Sequence, residues 1–113
     1  MTFSELIQTI KKESFEELRF ESETALEFVV RSEKLLQLNP TLEQFFGPAT
    51  KPAGVRPRGE EDALTSSFGG IMKNQTLYSL AENGVSHLAM IWPWGNGECA
   101  TVKIFKLETK NEP

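Results

Sequence analysis

The sequence predicts an α+β domain: an N-terminal helix, and a short second helix, packed on an antiparallel sheet of about five strands that ends in a three-stranded meander. Three observations predict it. Phe3, Leu6, Ile7 and Ile10 recur at helical spacing. Leu26, Phe28 and Val30 alternate with other residues, as on one face of a strand. Asn83-Gly84 separates two apolar runs, a strong short-range signal for a β-hairpin.

The first helix begins after Thr2. Thr2 and Glu5 have the spacing of a capping box, in which each side chain bonds the other residue's open backbone N–H. Lys11 and Lys12 close the segment and complement the negative end of the helix dipole. So short a helix is marginal alone, so its apolar stripe must pack, and a sheet is the expected partner.

Leu18 and Phe20 alternate with Glu17, Arg19 and Glu21, which predicts a strand. A turn at Ser22-Glu23-Thr24 leads to a second strand from Ala25 to Val30. Residues 23–38 also fit one helix; the β-branched pair Val29-Val30 and Phe28 favour a strand. Asn39 as cap and Pro40 at the first helical position predict the second helix. Leu42, Phe45 and Phe46 form its apolar face, and Gly47-Pro48 ends it.

Residues 47–62 contain three prolines and three glycines and read as an internal loop without a regular element. Neither flanking half is large enough for a domain, so residues 1–113 form one domain. Three strands follow, at Thr76–Ala81, Val85–Trp92 and Cys99–Leu107, and residues 108–113 form a polar, flexible tail. A second turn centred on Gly95 sets Leu88 opposite Val102 and Met90 opposite Ala100. Leu88, Met90, Trp92, Ala100, Val102 and Ile104 then share the core face. Val85, His87, Ala89, Ile91, Cys99, Thr101, Lys103 and Phe105 share a mixed face for a helix or a partner subunit to cover. A two-residue turn at Asn83-Gly84 adds Leu77 to the Leu88 face; a three-residue turn adds Tyr78 and Leu80 instead.

Architecturally, a leading helix followed by a curved antiparallel sheet resembles the cystatin-like scaffolds. That resemblance rests on no motif and implies no function.

Composition narrows the function. The net charge of −4 runs against general nucleic-acid binding, which calls for a basic excess. A single cysteine, Cys99, rules out an internal disulfide and a cysteine-based zinc site in one chain. No signal-peptide pattern and no membrane-length apolar run is present, and cytoplasmic residence is the expectation. No metal or cofactor is expected, because neither ligand spacing nor a dinucleotide fingerprint is present. Glu60-Glu61-Asp62 lacks the alternating oxygen pattern of a calcium loop. Gly69-Gly70 lacks the lysine and spacing of a phosphate loop. The glutamates of the N-terminal third read as a solvated face. His87 and Cys99, the natural nucleophile pair, fall roughly 13 Å apart in this register at strand rise, too far to touch.

The candidate binding residues are Trp94 and Trp92 at the second turn, with Lys51, Arg56 and Arg58 on the loop. Tryptophan is enriched at interaction hot spots, and arginine and lysine suit phosphate or carboxylate contacts. The expected function is a non-catalytic binding or regulatory module for a protein partner or a second copy. The alternative is a small enzyme or small-molecule binder whose pocket lies between helix and sheet under the 47–62 loop.

Overall fold

The computed structural model describes residues 1–13 and 15–108. Helix α1 (Phe3–Lys11) precedes the hairpin β1 (Glu17–Glu21) and β2 (Ala25–Arg31). A 3-10 turn at Ser32–Lys34 leads into α2 (Leu35–Phe46). Helix α3 (Gly59–Thr65) runs into a second 3-10 turn at Ser66–Phe68. Strands β3 (Thr76–Glu82), β4 (Val85–Pro93) and β5 (Cys99–Glu108) follow. The sheet is antiparallel throughout, in the order β1-β2-β5-β4-β3. The fold is therefore the predicted α+β arrangement, with a consecutive C-terminal meander. The predicted tail lies, beyond Glu108, outside the described residues.

Both hydrogen bonds of the predicted capping box form. Thr2 Oγ1 accepts from the Glu5 N–H, and Glu5 Oε1 accepts from the Thr2 N–H. Phe3, Leu6 and Ile10 are buried against the sheet. From α2 they are joined by Leu38, Leu42 and Phe46. The sheet side of this core is Leu26, Phe28 and Val30 of β2, with Ala100, Val102 and Ile104 of β5 and Ala89 and Ile91 of β4.

That composition corrects the expected faces. Leu88 pairs with Phe105 and Met90 with Lys103, not with Val102 and Ala100. The turn closes between Trp94 and Cys99, where the Trp94 N–H donates to the Cys99 carbonyl, so its centre lies beyond Gly95. An odd shift in register exchanges the two faces of β5 relative to β4. Leu88 and Met90 therefore belong to a second cluster, with Ile71, Leu77 and Phe105, on the face away from α1 and α2. The first hairpin has the two-residue turn: Glu82 pairs with Val85, and Asn83 and Gly84 both take positive φ, at 53° and 78°. Leu77 thus lies opposite Met90, on the Leu88 face.

Helix α2 starts earlier than predicted and carries Pro40 inside it. Proline there removes one hydrogen bond, to the carbonyl of Leu36. Leu36 is 81% exposed, so this turn of the helix lies at the surface. Residues 47–62 also differ from the expectation, because their last four residues belong to α3. Glu60, Glu61 and Asp62 occupy its first turn, where carboxylates favour the positive end of the dipole. Periodicity gives little sign of a helix this short. The turn after α3 packs on the second sheet face, Phe68 against Phe105 and Gly69 against Trp92, whereas Ala89 and Ile91 of the expected mixed face lie in the core under α1 and α2.

Candidate functional site

A bulge in β1 shapes an aromatic-walled groove on the second sheet face. Leu18 pairs with Phe28, but Phe20 pairs with Glu27, so the register slips by one residue at Arg19. A regular strand would put Leu18 and Phe20 on the same face; the slip sends Phe20 to the second one. There Phe20 flanks a groove of about 410 Å³. Its far wall is the 3-10 turn, through Phe68 and Gly69, and its floor is Ala25, Glu27, Lys103 and Phe105. Phe68 and Phe105 lie with ring centroids 4.2 Å apart, so that wall and the floor are continuous. Phe20 remains 54% exposed.

One ion pair crosses the floor. Lys103 Nζ lies 3.9 Å from Glu27 Oε1 and also sits 3.9 Å from the centre of the Trp92 ring. The ammonium is thus shared between a carboxylate and an aromatic face. The indole N–H of Trp92 is buried without a hydrogen-bond partner among the described residues. Gly69 is backed directly onto the Trp92 indole.

The five sequence candidates separate into two places. Trp92 and Trp94 both lie on the second sheet face. Trp94 turns back onto the strand, and its indole N–H donates to Thr101 Oγ1 at 3.0 Å. The Arg19 guanidinium stands 5.9 Å from its ring centre. Lys51 is buried in the loop, and its ammonium donates to the carbonyls of Pro52, Lys73 and Gln75. All three of its protons are engaged inside the molecule. Burial pushes its pKa down, with the Glu61 carboxylate opposing that shift. Arg58 pairs with Glu61, at 3.0 Å between guanidinium and carboxylate. Arg56 is exposed. No residue of 47–62 lines the groove, so the loop does not cover it.

Sequence reasoning missed Phe20, Phe68, Phe105, Lys103 and Glu27 as a set. They come from four separate segments, and only the bulge brings Phe20 among them. The alternation around Phe20 was visible; its face was not.

His87 and Cys99 are even farther apart than the expected register implied. His87 lies opposite Lys106, and Cys99 lies opposite Arg31 on β2. From position 99 to position 106 along β5 is roughly 23 Å at strand rise. Among the described residues, no group of three or more His, Cys, Asp or Glu is placed to hold a metal ion. Among them too, no helix is long and apolar enough to cross a membrane. No family model, curated protein or solved structure matches the chain.

Proposed function

We propose that the chain is a non-catalytic binding module that takes an apolar or aromatic side chain of a protein partner into the groove between β1 and the Phe68 turn. The observation that carries this reading is Phe20. The strand gives up regular pairing at Arg19 and thereby leaves a large aromatic side chain 54% exposed beside other aromatic rings. Bulges re-aim side chains in this way, and aromatic residues dominate binding energy at interfaces. The shared ammonium of Lys103 supplies a polar anchor beside the apolar walls. A groove open along Phe20 suits a side chain presented by another surface.

The dimer form of this reading would use the same groove. Edge pairing through β1 is disfavoured, because the bulge and the charges of Glu17, Arg19 and Glu21 protect that edge.

Fluorescence titration with anilinonaphthalene sulfonate tests the groove directly. The probe offers aromatic rings for the walls and a sulfonate for Lys103. Binding that saturates and weakens at least about fivefold in Phe20→Ser, roughly 1 kcal/mol, supports the reading. No fluorescence change, or equal binding by Phe20→Ser, removes its basis.

A further inference from the structure

His87 stands on β4 directly opposite Lys106 of β5, at the other end of the helix-covered face. Its ring centroid is 5.2 Å from that of Phe3 and 5.2 Å from that of Phe45. Phe3 opens α1, and Phe45 lies in the last turn of α2. One imidazole therefore joins the ends of both helices to the sheet. Its Nδ1 is buried and has no hydrogen-bond partner among the described residues.

A neutral imidazole tolerates this arrangement with its proton on Nε2, leaving Nδ1 a bare acceptor. A protonated ring carries N–H on both nitrogens, and a buried charged donor without a partner is costly. The surroundings reinforce the neutral form. Burial is the main effect, Lys106 adds like-charge repulsion, and Glu82 works weakly in the opposite direction. Together they hold the ring below the ordinary imidazole value. The remaining neighbours across the cleft are Met1 with its amine and Thr2 before α1, and uncharged Gln44 of α2.

We propose that His87 is an acid-sensitive latch: protonation of its ring parts Phe3 from Phe45 and releases the N-terminal end of α1 from the sheet. The sign follows from the neutral preference. The closed latch is fully stable above the ordinary imidazole range. Its contribution is lost as pH falls through that range toward the lower value of the folded ring.

The test is an NMR titration of the full chain, in which His87 is the single histidine. The expected midpoint lies below about 6.5. Between pH 7 and pH 5, amide protection in α1, corrected for intrinsic exchange, should fall about tenfold more than in β5. His87→Leu should abolish that difference. Lys106→Met, which removes the facing like charge, should raise the midpoint and shift the loss of protection with it. A midpoint at or above about 6.5 overturns the proposal. So does equal loss of α1 protection in His87→Leu. Should His87→Leu fail to fold, an unchanged midpoint in Lys106→Met overturns it instead.

Discussion

A Cβ placed on Gly69 would stand 2.7 Å from Cη2 of Trp92. Nothing larger than hydrogen fits there, so this glycine lets the turn after α3 lie flat on the indole and form the far wall of the groove. Its φ of +101° also disfavours any other residue.

Gly69→Ala should therefore destabilise the fold by about 3 kcal/mol, combining backbone strain with overpacking. Gly70→Ala is the matched control. Gly70 has φ +79° but open space around it, so it should cost only about 1–2 kcal/mol. Urea unfolding of both variants measures the difference. Equal losses would show that the indole yields freely to the added methyl group.

Lys51 holds two loops with one ammonium. Its three acceptors are the carbonyls of Pro52, Lys73 and Gln75, and its backbone bridges Leu77. Lys51→Met keeps the packing volume but leaves those carbonyls without their donor. A loss of about 2–3 kcal/mol in urea unfolding is expected, reduced from the sum of three bonds by relief of the buried charge. Stability equal to that of the natural chain would mean that water replaces the ammonium at no cost.

Glu61 is the acid-sensitive element of α3. Its side chain is 5% exposed and accepts from the Arg58 N–H at 2.8 Å and from the Arg58 guanidinium. The backbone N–H of Arg58 is the chief cause that holds this carboxyl below the usual range; burial opposes it, and the guanidinium adds to the lowering. A depressed carboxylate stabilises the fold above its unfolded value, about 4.3, and that contribution is lost as pH falls toward the folded value. Glu61→Gln should remove this part of the acid dependence. Stability curves recorded from pH 6 to pH 3 check it; superimposable slopes for the two proteins would contradict the assignment.

The sequence was most legible where one short segment determines its own structure. Thr2 with Glu5 defines the start of α1, and Asn83-Gly84 marks the hairpin between β3 and β4, although its register stays open in the sequence and is fixed by the Glu82–Val85 pair of the two-residue turn. It was least legible where the answer depends on how a turn closes. The Trp94 N–H bonds to the Cys99 carbonyl, and the register this sets places Ala89 and Ile91 of β4, rather than Leu88 and Met90, on the core face with Ala100, Val102 and Ile104. Pro40 misled for a different reason: the helix begins before it and carries it inside, with the preceding turn at Leu36 on the surface. The groove was illegible because a backbone slip at Arg19 leaves no compositional trace. Among the sequence candidates, Lys51 illustrates the opposite hazard. A lysine in a Pro/Gly-rich loop reads as a solvent-facing charge, yet nearby carbonyls draw it inside.

The groove reading stands or falls on what meets Phe20 in the host cell. A photo-crosslinking phenylalanine analogue placed at position 20 measures this, with the same analogue at the exposed position 36 on α2 as the control. A defined protein adduct, a second copy included, is expected from position 20 and not from position 36. No adduct at position 20, or the same adducts from both positions, would contradict it.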